Sequence, residues 1–146
     1  MMPDVIIRIA QIPAEFPAIA AIRTTVFQEE QAVDPLLEFD GKDETSEHLI
    51  AYLNHQAVGT ARIRYLDQQT AKIERLAVLS VARGQGIGRK IMEKALEVVA
   101  SHNISEVIIH AQVYIKSLYQ TLDFIEVGDI FLEAGIPHIE MRKKLK

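Results

Sequence analysis

The stretch Glu74-Arg75-Leu76-Ala77-Val78-Leu79-Ser80-Val81-Ala82-Arg83-Gly84-Gln85-Gly86-Ile87-Gly88-Arg89-Lys90 passes from a strand pattern, through glycine at every second position, into an amphipathic helix. The three glycines remove the Cβ atoms that would keep the backbone from wrapping closely around a ligand. Such a turn delivers unpaired N–H groups and a helix N-terminus to one spot, which suits a phosphate or pyrophosphate. Arg83 and Arg89 flank it with guanidinium groups that match phosphate oxygens. A plain strand-to-helix turn with capping glycines is the alternative. The dinucleotide fingerprint fails, because its sixth position counted from Gly84 is Arg89, and no acidic residue follows the helix at His102-Asn103. A Walker loop fails too, since Gly88 is followed by Arg89-Lys90-Ile91 and not by Lys and a hydroxyl residue.

Around this stretch, alternation and helical periodicity predict a single α/β domain over 1–146. Val5 to Ala10 reads as a first strand, and Ala14 to Phe27 as a helix opened by Pro13. Three strands follow as a meander: His48 to Leu53, Ala57 to Tyr65 and Ala71 to Leu79. In the last of these the apolar face slips by one residue between Ile73 and Leu76. Either a β-bulge or a strand buried on both faces accounts for that slip. Ile87 to Ala100 is the amphipathic helix, and Glu106 to Ala111 a buried strand reached by a parallel crossover. A short helix from Tyr114 or Ile115 to Leu122 and strands at Phe124–Phe131 and Pro137–Met141 complete the order. Arg142 to Lys146 reads as a solvated basic tail.

Composition narrows the function classes. With 49% apolar and 25% charged residues the chain has an ordinary globular make-up. No apolar run nears the roughly 18 residues of a membrane span, and no basic-then-apolar leader opens it, so a cytoplasmic enzyme or binding domain is expected. Cysteine is absent, which excludes disulfides, thiolate metal sites and a cysteine nucleophile. No His/Asp/Glu group has ligand spacing, so no metal is expected. Eight acids (Glu29, Glu30, Asp34, Glu38, Asp40, Asp43, Glu44, Glu47) face one base, Lys42, between Gln28 and Glu47. The remainder is mildly basic but has no basic stripe with interleaved aromatics, which argues against nucleic acid. The asymmetry suits a polyanionic cofactor on one side and a cationic acceptor on the other, unless the acidic run is a solvated loop.

Arg83-Gly84-Gln85-Gly86-Ile87-Gly88 resembles the acyl-CoA loop of the GNAT N-acetyltransferases, Gln/Arg-x-x-Gly-x-Gly/Ala, at every fixed position. Gln112-Val113-Tyr114-Ile115-Lys116-Ser117-Leu118-Tyr119-Gln120-Thr121-Leu122-Asp123-Phe124 is similar to a second GNAT segment, Asn-x-x-Ala-x-x-Phe-Tyr-x-x-x-Gly-Phe. It departs from that pattern at Gln112, Ile115 and Asp123. Val26-Phe27-Gln28-Glu29-Glu30-Gln31, with Glu38, Asp40 and His48, resembles the small bacterial GNAT proteins of the ElaA and YjcF type. Phe131 to His138 is similar to their closing Phe-x-Glu-x-Gly-Ile-x-His stretch.

The resemblance covers nearly the full chain and implies a mixed, mainly antiparallel sheet flanked by helices and splayed between the fourth and fifth strands. It also implies acetyl-CoA as co-substrate, held by Leu76, Ala77, Val78, Arg83, Gly84, Gln85, Gly86, Ile87, Gly88, Arg89, Gln112 and Tyr119. It makes the Val78 N–H the thioester donor and Tyr119 the proton donor to the departing thiolate. From the residues alone Tyr119 fits a core tyrosine with a satisfied hydroxyl better than a proton donor. Glu74 leads as general base, with His110 and His138 behind it; a surface-facing strand carboxylate is the alternative for Glu74. Glu30, Gln31, Glu133 and His138 are candidates for the acceptor side, and the acceptor is expected to be an amine. A non-catalytic acyl-CoA sensor on the same fold is the competing function. Monomer and homodimer both stay open.

Overall fold

The computed structural model describes residues 3–146. Seven strands form one sheet in the order β1-β2-β3-β4-β5-β7-β6. They are β1 (Val5–Ile9), β2 (Glu47–Leu53), β3 (Gln56–Tyr65), β4 (Thr70–Val78), β5 (Glu106–Gln112), β6 (Ile125–Glu133) and β7 (Ile136–Lys144). Helix α1 (Phe16–Arg23) and the short α2 (Pro35–Glu38) lie between β1 and β2; α3 (Ile87–Ser101) and α4 (Lys116–Gln120) flank β5. All neighbouring pairs are antiparallel except β4 and β5, which run parallel as the crossover over α3 requires.

The side-chain period of two assigns each sheet face its cover. Ile63, Ala71, Ile73, Val107, Ile109 and Met141 point to one face and pack on Ile87, Ile91, Met92, Ala95 and Val99 of α3. On the opposite face Ile22, Val26 and Phe27 pack on Ala77, while Ile19 packs on Ile50. That first helical segment covers β2, β3 and the end of β4, and leaves the face of β5 and β7 open.

Three expectations are corrected. The first helix starts at Phe16, and Thr24–Glu30 continues it as a π-helical turn well past Phe27. The continuation brings Glu30 to the Arg83 guanidinium at 2.7 Å. The basic tail is not free: β7 runs to Lys144, Arg142 pairs with Glu106 and Glu140, and the Lys143 ammonium donates to the Leu122 carbonyl at 2.9 Å. The acidic run is only in part a solvated loop: Glu29, Glu30, Asp34 and Glu44 are exposed, but Glu38, Asp40 and Asp43 turn inward to arginines. Glu38 is 2% exposed, and its carboxylate receives Arg23, itself buried, at 2.9 Å.

Candidate active site

β4 builds the site by a local irregularity. Arg62 of β3 faces Glu74, but Thr60 faces Ala77, so two residues of β4 sit opposite Ala61 alone. The extra residue is a bulge, with Arg75 in the left-handed region at φ +58°. It settles the apolar slip between Ile73 and Leu76. The pairing of β4 with β5 ends at Lys72 and Ile108, and beyond that level the two strands part.

The gap has a free donor at its edge. Leu79 N–H donates to the Val58 carbonyl at 2.8 Å, so the alternation of an antiparallel ladder makes Gly59 and Val78 a non-hydrogen-bonded pair. The Val78 N–H and C=O therefore turn away from β3 toward the gap. Its carbonyl receives the Arg83 guanidinium at 2.9 Å.

At the end of β4 the glycine turn opens α3. Gly84 and Gly86 have φ of +78° and +75°, and an added Cβ at either would meet nothing within 4 Å. The loop surface is thus bare backbone facing open space, which is what a bulky anion needs for close approach. Gly86 is the N-cap of α3, whose first N–H groups and positive dipole end point the same way. Arg89 is held by the Thr121 hydroxyl at 2.7 Å, which steadies it beside the turn.

A cavity of ≈ 950 Å³ runs from this turn through the gap to the open sheet face. Leu76, Ala77, Val78, Arg83, Gly84, Gly86, Ile87, Gly88 and Arg89 line it, and so do Gln112 and Tyr119. Gln85 is the one expected cofactor residue that does not line it. Glu30, Gln31, Glu74, Glu133 and His138 line the same cavity, so all the expected acceptor and base residues share it with the cofactor residues. The two groups touch: Gln31 and Gln112 exchange side-chain amide hydrogen bonds at 3.0 and 3.4 Å, and Glu30 pairs with Arg83 at 2.7 Å.

Tyr119 is only 6% exposed, and its ring stands edge-on to Phe124. Burial pushes its phenol up from the usual value, so it stays protonated at neutral pH. Among the described residues its hydroxyl has no side-chain or backbone hydrogen-bond partner, which leaves the O–H available to the cavity.

Glu74 sits in an ion cluster. Burial alone would raise its carboxyl, but the hydrogen bond from Arg64 and the charges of Arg62 and Lys72 outweigh burial and hold it at about 2. A carboxylate so firmly ionised has little affinity for an ammonium proton, which opposes the expected role as direct base. Arg62, fully buried, also reaches Asp40 at 2.8 Å and Asp43 at 3.1 Å, while Arg23 binds Asp43 at 2.6 Å. Asp40 is held low by its bond from Arg62. Three of the eight acids, Glu38, Asp40 and Asp43, thus answer buried arginines, while Glu29, Glu30, Asp34 and Glu44 stay exposed.

A second polar group stands across the gap. His110 Nδ1 lies 3.0 Å from Glu133 and its Nε2 3.5 Å from Glu140; His138 Nε2 lies 3.6 Å from Glu133. Phe131 meets His110 edge-on and stacks on His138, fixing both rings. The hydrogen bond from His110 draws the Glu133 carboxyl below its usual range. Ala134 and Gly135, both at positive φ, make the tight turn that brings β6 and β7 together here.

Arg64, Lys72 and Tyr114 also line the cavity and were not singled out in the sequence. The signal for two of them was present: Arg62 and Arg64, like Lys72 and Glu74, are two apart on strands and share a face. Among the described residues no His/Asp/Glu group could hold a metal, and no helix is long and apolar enough to cross a membrane.

The chain matches the family model of the acetyltransferase (GNAT) domain over residues 17–145. It is 33% identical to protein ElaA of Escherichia coli over 88% of this chain and 86% of that one. The crystal structure of ElaA superposes with a TM-score of 0.84 over 97% and 99% of the two chains. The uncharacterized N-acetyltransferase YjcF of Bacillus subtilis is 36% identical over 84% of this chain and 87% of its own. An acyl-CoA N-acyltransferase from Pseudomonas aeruginosa, 31% identical, has a TM-score of 0.84 over 97% and 99%.

Proposed function

The chain belongs to the GNAT acetyltransferase family, and from that premise we propose that it moves an acetyl group from acetyl-CoA to a primary amine by direct attack in a ternary complex. The observation that carries this is the continuous cavity joining the bare glycine turn, the free Val78 N–H and buried Tyr119 to the open polar face of the sheet. The glycine turn and the start of α3 would hold the pyrophosphate, with Arg83 and Arg89 beside it. Leu76, Ala77 and Val78 would line the pantetheine arm within the splay. Acetyl-CoA supplies an activated acyl carbon: the acceptor nitrogen bonds to it, the carbon–sulfur bond breaks, and its electron pair leaves on sulfur.

Each residue's part follows from charge development. The Val78 N–H donates to the acyl oxygen as that oxygen gains negative charge. Tyr119, kept neutral by burial, gives its proton to the sulfur. The amine must first shed a proton, and His110 takes it. Imidazole suits proton exchange in general acid–base catalysis, and Glu133 on Nδ1 orients the ring. We assign this step to His110 rather than Glu74 because three cations surround Glu74. The work belongs in the cytoplasm, where this co-substrate is available.

Gly88→Asp tests the cofactor half. An added Cβ at Gly88 meets only Val78 Cγ2 at 3.9 Å, so the fold accepts the side chain, and a carboxylate at a helix N-terminus favours the helix. The melting transition should hold or rise while calorimetric acetyl-CoA binding is lost. Unchanged binding would remove the pyrophosphate from this turn.

A further inference from the structure

The ion cluster behind the cavity is short of one carboxylate. Arg23, Arg62, Arg64, Lys72 and Arg75 are joined by Glu38, Asp40, Asp43 and Glu74. The deep members are satisfied: Arg23 by Glu38 and Asp43, Arg62 by Asp40, Asp43 and Glu74. Arg75 spreads its donors over Asp40 and the carbonyls of Leu37 and Glu38. The surplus falls at the open end. Arg64 reaches Glu74 through Nε, and among the described residues its two terminal nitrogens have no partner. The Lys72 ammonium stands 3.4 Å from the same carboxylate. Both side chains line the cavity and are largely sheltered, with 21% and 14% exposure.

Two residues farther along β5 than the level of Lys72, about 7 Å by strand rise, the polarity reverses. Glu133, 44% exposed and bonded to His110, presents a carboxylate to the same cavity. An unpaired cation entering here would meet Arg64 and Lys72, and a simple anion would meet Glu133. A molecule with an ammonium at one end and an acid group at the other satisfies both.

We infer that the acceptor is an amino carboxylate, its carboxylate held by Arg64 and Lys72 and its amine set against His110 and Glu133. This rests on the acyltransferase reading of the cavity. Glu74 then has a positioning role: it holds Arg64 and Lys72 side by side for the acceptor's carboxylate. The reaction balances as ammonium plus thioester giving amide, thiol and one proton, which leaves through His110.

The test is a panel of matched acceptors with acetyl-CoA: L-alanine against L-alaninamide and ethylamine, 4-aminobutyrate against propylamine, and putrescine as the dication. At least one amino carboxylate should show a KM ten-fold or more below those of its partners lacking the acid. Arg64→Gln and Lys72→Met should each raise that KM about ten-fold, with the KM for acetyl-CoA held, and should not move the KM for alaninamide. Lys72→Met keeps the test open if Arg64→Gln unfolds. Preference for amines lacking a carboxylate, or amino carboxylate KM values unmoved in the folded variants, overturns the acceptor class and leaves the acyltransferase reading standing. Failure to bind acetyl-CoA and to acetylate any amine overturns both.

Discussion

Replacing Gly59 by Ala should destabilise the protein, and removing the one methyl that the new Cβ meets should relieve the clash. Gly59 lies on β3 opposite Val78, where α3 presses closest to the sheet. A Cβ there would stand 2.7 Å from Ile91 Cδ1, 3.3 Å from the Ala77 carbonyl and 3.4 Å from Ala51 Cβ. Ile91 is fully buried in the core, so its terminal methyl has nowhere free to go. Overpacking of this kind costs about 1–3 kcal/mol. The stiffer unfolded chain of an alanine offsets about 0.4–1 kcal/mol. A net loss of about 1–2 kcal/mol should lower the melting temperature by roughly 2–8 °C in a domain of this size. Ile91→Val alone deletes the clashing Cδ1 and should cost about 1 kcal/mol as a cavity. In the double variant the new methyl occupies the space of the deleted one, so the pair should cost little more than Ile91→Val by itself. Urea unfolding of the four proteins, with m held constant, measures the coupling directly. Acetyl-CoA KM should rise in Gly59→Ala and return in the double variant, because Val78 sits across the ladder. Effects additive to within about 0.5 kcal/mol would show that the helix does not limit this position.

Tyr119→Phe should keep acetyl-CoA affinity and lower turnover about ten- to ten-thousand-fold; a collapsed melting transition would return Tyr119 to a core residue, and full activity would give its proton to another donor. Acid should unfold the protein through its ion cluster. Glu74, 9% exposed, has a folded carboxyl at about 2 against 4.5, so its contribution of about 3 kcal/mol is complete above pH ~4.5 and lost as pH falls through ~2. Asp40 and Asp43 are depressed in the same direction, so the loss should be steep in that window. Arg62→Met, which removes their common partner, should flatten the pH dependence of urea stability, and an unchanged slope would take the cluster out of acid unfolding.

The parts of the molecule that were legible in the sequence are those where one local rule dominates. Gly84, Gly86 and Gly88 follow a strand and open a helix, and no packing is needed to see what backbone without Cβ atoms permits. The bulge at Arg75 was legible as a phase slip, since alternation counts residues and an insertion must show. Tertiary charge pairing was not. Glu38, Asp40 and Asp43 have the spacing and flanking Gly41 of a solvated loop, and their partners Arg23 and Arg62 lie 15 to 22 residues away on other elements. A run of acids therefore reads identically whether it faces water or closes over buried guanidinium groups. The same blindness bears on both readings at the acceptor end. Counting the acidic run as free charge overlooks Glu38, Asp40 and Asp43, which pair with buried arginines, and taking Glu74 as free overlooks the three cations around it. Once the buried arginines are counted, the surplus charge at the cavity is positive on Arg64 and Lys72. The proposed mechanism therefore gives proton acceptance to His110, whose partner Glu133 arrives from a strand 23 residues later.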